Sequence, residues 1–293
     1  MTLRPAFLAL AIALTLPLAA AAAPVARRVD VGGGVQISLL SEGVRTAKPA
    51  LVLVPGWRIT KDVWRPHLAH FAKDRLVVTF DPRSQGESTV TGLGDTPEQR
   101  ARDLEAVLGA YGLKSVVLVG WSQGDQDVAA YVRAFGTGRL AGVVLVDAPI
   151  SSGAAGAAAQ PQATAQQLQM LSLYARAPRD YTAGMLSAII TRPLPQAEID
   201  ALLDQAMKTP EAIGTAMLVS DLLGPDRTDA IGKIDKPALV LAASRSPEIE
   251  AQRAMAAKLP MGRFEVIPDS AHAVFVDQPE RFDEALERFL ATL

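Results

Sequence analysis

The sequence predicts an α/β fold: a mostly parallel central sheet, helices on both faces, and a helical insertion. Three observations carry that expectation. Short, continuously apolar runs such as Ala50–Val54 (ALVLV) and Gly142–Val146 (GVVLV) recur along the chain, and strands covered on both faces read this way rather than alternating. Between them lie stretches with apolar residues at helical spacing. From about Pro149 to Ile231 the strand signal stops and only helical patterns remain, after which strands resume. Repeated strand–helix units imply parallel pairing through helical crossovers.

In chain order, Val35–Leu40 follows Gly32-Gly33-Gly34 as a short strand, and Ala50–Val54 is a buried strand ended by Pro55-Gly56. Trp64–Lys73 has helical spacing, with Pro66 early enough that its missing N–H costs nothing. Leu76–Phe80 is again a strand. Thr96–Tyr111 opens on a Thr-Pro start signal and carries Leu104, Val107, Leu108 and Tyr111 on one face. Ser115–Val119, Asp125–Phe135 and Gly142–Val146 give strand, helix, strand. An Ala/Gly/Gln-rich stretch (Ser151–Ala165) precedes helical patterns near 165–177, 179–191, 196–207 and 210–223. A strand (Pro237–Ala242), a helix (248–258), a strand (Arg263–Ile267) and a terminal helix follow, the last expected to be capped by Asp277. The expected organisation is a first core segment over 24–148, an insertion over 149–231 and a second core segment over 232–293.

The first 23 residues, MTLRPAFLALAIALTLPLAAAAA, place Arg4 before an apolar stretch (Phe7–Leu16) and an Ala-rich tail. This is the pattern of a cleaved secretory signal peptide, so the expected product is a soluble, periplasmic or secreted protein without stable membrane insertion. With 29 Lys+Arg against 31 Asp+Glu and no basic run, a nucleic-acid partner is excluded as an expectation. The absence of cysteine removes disulfides, thiolate metal sites and a Cys nucleophile. Only three histidines exist, His67, His70 and His272. His67 and His70 stand three apart on a helix but lack a third ligand nearby, so no metal site is expected.

Chemistry enters at Gly120-Trp121-Ser122-Gln123-Gly124. Gly-x-Ser-x-Gly carries meaning where a strand turns sharply into a helix, because that turn exposes the Ser side chain and leaves no room for Cβ atoms two positions either side. Here the flanks are a predicted strand and a predicted helix. A nucleotide-binding turn is the competing reading, and it fails for want of Gly-x-Gly-x-x-Gly or Gly-Lys-Ser/Thr.

On these residues the chain resembles the α/β-hydrolase family, in particular its non-haem chloroperoxidase-like and small esterase branches. Leu51–Trp57 (LVLVPGW) is similar to the family's strand and oxyanion loop, Asp81–Ser88 to its Asp-x-Arg-x-x-Gly-x-Ser turn, and Ser270-Ala271-His272 to its histidine loop. The resemblance implies a cofactor-free serine hydrolase acting on a small ester-like molecule. Ser122 is the nucleophile and His272 the base that takes its proton. The backbone N–H groups of Trp57 and Gln123 form the oxyanion hole. Pro55 stands where the family usually carries His.

The acid is less directly marked. Family members most often place it after the strand that here reads Ala238–Ala242, but Ser246 occupies that place, and a hydroxyl cannot stabilise an imidazolium as a carboxylate does. Asp147, Glu248 and Glu250 are the candidates, with Asp147 favoured because a strand end is a rigid support. Asp125, three residues past the nucleophile, has no assigned role. Trp121, Met170 and Tyr174 are expected to line the substrate pocket, whereas Trp64 is expected in the core and Asp81 with Arg83 in a turn. Perhydrolysis at the same site and a non-catalytic ligand-binding protein remain as alternative readings, the latter supported by Ser246 and Asp125. Dehalogenase and epoxide-hydrolase chemistry would need Asp at the elbow.

Overall fold

A computed structural model describes residues 23–293; the signal-peptide assignment lies outside the described residues except for Ala23. Eight strands form one sheet in the order β1-β2-β4-β3-β5-β6-β7-β8. They are β1 (Val25–Asp30), β2 (Gln36–Glu42), β3 (Ala50–Val54), β4 (Val77–Phe80), β5 (Val116–Trp121), β6 (Leu140–Val146), β7 (Ala238–Ala243) and β8 (Gly262–Ile267). β1 and β2 pair antiparallel and β2 meets β4 antiparallel. All remaining neighbours are parallel, as continuous apolar strands require.

β1 was not anticipated, and its composition explains why. It reads VARRVD, is largely exposed, and hangs on the sheet edge, where charged residues discourage further pairing. In the centre, every residue of β3, β5 and β7 is buried.

Each sheet face carries its own apolar core. On one face α2 (Pro97–Ala110) and α3 (Gln123–Phe135) deliver Leu104, Val107, Val128 and Val132. On the other, α1 (Arg65–Phe71) and, at the C-terminus, α12 (Pro279–Leu290) deliver Leu68, Phe71, Phe282, Leu286 and Phe289. Trp64 is fully buried and stacks on Phe275 at 3.9 Å between ring centroids.

Between β6 and β7 the chain is helical: α4 (Gly153–Ala159), α5 (Pro161–Arg176), α6 (Pro178–Ile189), α7 (Gln196–Ala206), α8 (Glu211–Leu223) and α9 (Asp229–Lys233). α4 sits inside the Ala/Gly-rich stretch that lacks any periodic signal, and α9 is a single short turn. After β7 come α10 (Ile249–Ala256) and, following β8, α11 (Val274–Asp277). Among the described residues no helix is long and apolar enough to cross a membrane.

Two expectations about polar residues need correction. Asp277 does not cap the terminal helix; Gln278 holds the cap position of α12 without a side-chain bond. The Asp277 carboxylate instead accepts from the N–H of Ala271 (2.7 Å), Thr191 (2.7 Å) and Arg192 (2.9 Å), and from Thr191 Oγ1 (2.8 Å). Asp81 does hold its turn, accepting from the Lys61 and Glu87 N–H groups and from Lys61 Nζ. Arg83, however, leaves that turn to pair with Asp103 of α2 at 2.6 Å.

Candidate active site

β5 delivers Ser122 to the carboxyl edge of the sheet, and α3 starts at the next residue. Ser122 has φ 57° and ψ −117°, a backbone state that L-residues adopt only where surrounding structure enforces it. The elbow glycines are part of that enforcement. A Cβ on Gly120 would lie 2.6 Å from Asp125 Oδ1, and one on Gly124 2.6 Å from the Val54 carbonyl oxygen. The Val54 oxygen belongs to a central strand end that cannot yield, so Gly124→Ala is expected to cost about 1–3 kcal/mol, as overpacked cores do. Urea unfolding of the variant measures it.

His272 lies in the loop between β8 and α11, and Asp147 immediately follows β6, in left-handed backbone (φ 53°). The two meet: His272 Nδ1 and Asp147 Oδ2 are 2.8 Å apart. Asp147 is almost fully buried and His272 is half-buried. The other carboxylate oxygen, Oδ1, accepts from the Ala243 N–H (2.8 Å) and from Gln252 Nε2 (3.1 Å). With Nδ1–H held on a carboxylate, Nε2 keeps the free lone pair, the state a general base needs. The loop backbone is fixed twice more, by Trp121 Nε1 donating to the His272 carbonyl (2.8 Å) and by Asp277 accepting from Ala271. Ser122, Asp147 and His272 all stand at the carboxyl ends of parallel strands, where open α/β sheets bind ligands.

The loop after β3 lies beside the elbow, since a Cβ on Gly56 would approach Ser122 Cβ to 3.1 Å. Trp57 follows Gly56 and Gln123 follows Ser122. Among the described residues neither backbone N–H has a hydrogen-bond acceptor, so both are available to a developing oxyanion. The Gln123 side chain is anchored away from the elbow, on Asp221 of α8.

The three residues expected in the pocket have different fates. Tyr174 is fully buried and meets Trp57 edge-on at 5.1 Å, in an apolar cluster completed by Met217. Trp121 is a correction: it is buried in the core beneath the histidine loop, packed on Phe275, and supports His272 rather than lining a pocket. Met170 is a second correction, standing exposed on α5 whereas Leu171 and Tyr174 form that helix's buried face.

A cavity of about 450 Å³ opens beside the Asp147–His272 pair, lined also by Ile189, Thr191, Arg245 and Glu248. Glu248 sits at its rim, where partial desolvation pushes the carboxyl above its ordinary range against the pull of His272. Neither Glu248 nor Glu250 bonds to His272; Glu250 faces Arg253 at 3.6 Å. Ser246 Oγ instead accepts from Gln252, the same amide that supports Asp147. His67 and His70 bond to Asp283 and Glu287 of α12, and among the described residues no group of three or more His, Cys, Asp or Glu is placed to hold a metal.

Asp125 points behind the elbow. It is fully buried, accepts from the Val146 N–H at 3.2 Å, and has no partner for Oδ2. Burial pushes its carboxyl well above the ordinary range, and the Asp147 charge adds to the effect. A raised native pKa means that the stabilising contribution is complete below the unfolded value, about 3.9, and is lost as pH rises through the native value. Asp125→Asn keeps the acceptor for Val146 and removes the ionisation. It is therefore expected to gain stability over wild type as pH rises above about 4, measured by urea unfolding at each pH.

Gln252 and Asp221 have no role in the sequence analysis, and Asp277 has one only as a helix cap. Polar residues on helices carry no signal for which strand end they will face.

Residues 51–285 match the sequence model of the Alpha/beta hydrolase family. The non-heme haloperoxidase of Rhodococcus erythropolis is 37% identical over 94 residues, 32% of this chain and 34% of that protein. The bifunctional esterase/perhydrolase DCH of Acinetobacter calcoaceticus is 34% identical over 121 residues, 41% of this chain and 44% of that protein. These matches span less than half the length of either relative. Among solved structures, a thermophilic esterase from Thermogutta terrifontis superposes with a TM-score of 0.75 at 26% identity, covering 92% of this chain and 99% of that one.

Proposed function

We propose that this chain, which belongs to the Alpha/beta hydrolase family, is an exported serine hydrolase that cleaves carboxylic esters, lactones or thioesters through an acyl-enzyme. The observation that carries the reading is the 2.8 Å contact of His272 Nδ1 with a buried carboxylate, at the sheet edge where strained Ser122 stands. In this reading Ser122 Oγ attacks the carbonyl carbon and its proton passes to His272 Nε2. The Trp57 and Gln123 N–H groups bind the oxyanion. Collapse breaks the bond to the leaving oxygen or sulfur, which takes the proton from His272. Water, deprotonated by the same imidazole, then releases the acid. Asp147 orients the imidazole and stabilises the imidazolium. All of these groups come from the chain itself, so the proposed chemistry calls on no cofactor. The basic-then-apolar segment 1–23 supports export to the periplasm or beyond.

A second reading, perhydrolysis, is favoured by the names of the haloperoxidase and esterase/perhydrolase relatives. Hydrogen peroxide replaces water, the acyl group leaves as a peracid, and the peracid can oxidise halide.

Intact-mass labelling with a fluorophosphonate tests the shared core of both readings. A single adduct on wild type, absent in Ser122→Ala, is the expected result. No adduct on folded wild type overturns the hydrolase reading in favour of a ligand-binding protein.

A further inference from the structure

Among the described residues, the buried cations Lys61, Arg75, Arg83, Arg100 and Arg227 each lie against a carboxylate. Arg58 does not. It is fully buried, yet its guanidinium meets only neutral acceptors: Thr182 Oγ1 at 2.6 Å, the Ala206 carbonyl at 3.1 Å and Met207 Sδ at 3.4 Å. Its Nε has no partner. A buried charge without a counterion is a cost that a neutral side chain of similar length would avoid.

Arg58 directly follows Trp57, in left-handed backbone (φ 59°), and its charge lies over the Trp57 and Tyr174 rings at 5.0 and 4.6 Å. The Tyr174 hydroxyl is a second buried group without a partner. Both converge on Gly214 of α8: a Cβ there would lie 2.5 Å from Tyr174 Oη and 3.1 Å from Arg58 Cδ. Trp57 Nε1 donates to the Gly214 carbonyl at 2.9 Å, which fixes this box against the oxyanion loop. The Arg58 Nε–H and the Tyr174 O–H, both unpartnered beside the Trp57 ring, are two donors that suit the two oxygens of one carboxylate, which would also bring the missing counter-charge.

We propose that Arg58 sets acyl specificity, and that the preferred substrate is an ester or lactone whose acyl chain ends in a second carboxylate, bound by Arg58 and Tyr174. The inference rests on the serine-hydrolase reading above. It places the scissile carbonyl at the Trp57 and Gln123 N–H groups and the far carboxylate past the Trp57 ring.

The test compares kcat/KM for mono-4-nitrophenyl adipate and 4-nitrophenyl hexanoate, which share leaving group and acyl length and differ in terminal charge. Wild type is expected to favour the adipate by tenfold or more. Arg58→Met should bring the ratio to one or below, Arg58→Lys should retain part of it, and Tyr174→Phe should lower it several-fold. A wild-type ratio near one, or a preference that survives Arg58→Met, overturns the assignment. The wild-type ratio needs no variant to fold. Turnover of both esters that is lost in Ser122→Ala, with a flat ratio, rejects this inference and leaves the hydrolase reading standing. Turnover of neither, together with no fluorophosphonate adduct, rejects both.

Discussion

Aryl-ester kcat is expected to fall about 10⁶-fold in Ser122→Ala and about 10³–10⁴-fold in Asp147→Asn, the scale that triad enzymes set for loss of nucleophile and of acid. The second figure follows from the surroundings of Asp147. Its Oδ1 faces two donors, the Ala243 N–H and Gln252 Nε2. In the Asn variant those donors hold the amide oxygen where Oδ1 stood, so the NH₂ group turns toward His272 Nδ1. The imidazole must then accept at Nδ1 and carry its proton on Nε2, the tautomer that cannot deprotonate serine. Fold and labelling site are retained while the rate collapses. Steady-state kinetics with a 4-nitrophenyl ester measures both variants. Glu250→Gln, on an exposed helix face opposite Arg253, is expected to change little. A large loss there with none in Asp147→Asn would reassign the acid.

Asp277→Ala should lower both stability and turnover. One carboxylate accepts from three backbone N–H groups and a hydroxyl, contributed by the histidine loop and by the chain just after α6. Removing it leaves those donors unpaired. At about 1–3 kcal/mol for each buried donor left unsatisfied, a total of about 3–4 kcal/mol is expected after partial rescue by water. For a chain of this size that is a fall in Tm of roughly 10 °C. Because Ala271 adjoins His272, kcat should drop at temperatures where the variant is fully folded, with KM little moved. Calorimetry and kinetics on one preparation separate the two effects. Asp277→Asn, which keeps one acceptor oxygen, should recover part of each.

The elbow was legible because backbone geometry demands particular residues there: strain at Ser122 and the contacts facing Gly120 and Gly124 leave little choice of sequence. The central strands were legible for a similar reason, since burial on both faces admits only apolar side chains. β1 was hidden because an exposed edge strand can carry Arg27, Arg28 and Asp30 at no cost, and α4 because an Ala/Gly run has no periodicity to detect. Tyr174 and Trp121 carry the same aromatic signal in sequence. Only the fold decides that one borders Trp57 while the other braces the histidine loop. Asp277 illustrates the same limit, because Asp-Gln-Pro-Glu has the local pattern of a helix start while the real partners of Asp277 are 6 and about 86 residues away.

The Asp277 contacts also bear on modularity. The end of α6 and the residues after it are fastened to the histidine loop, by the Ala273 N–H donating to the Ile189 carbonyl and by Asp277 accepting from Thr191 and Arg192. Grafting the insertion of a related enzyme onto this scaffold would therefore transplant one half of a joint. A chimaera that exchanges residues 149–231 without matching Thr191 to its acceptor would inherit a new insertion and a loosened histidine loop together. Recombination libraries built on this protein should draw their crossover points to keep residues 189–192 and 271–277 from a single parent.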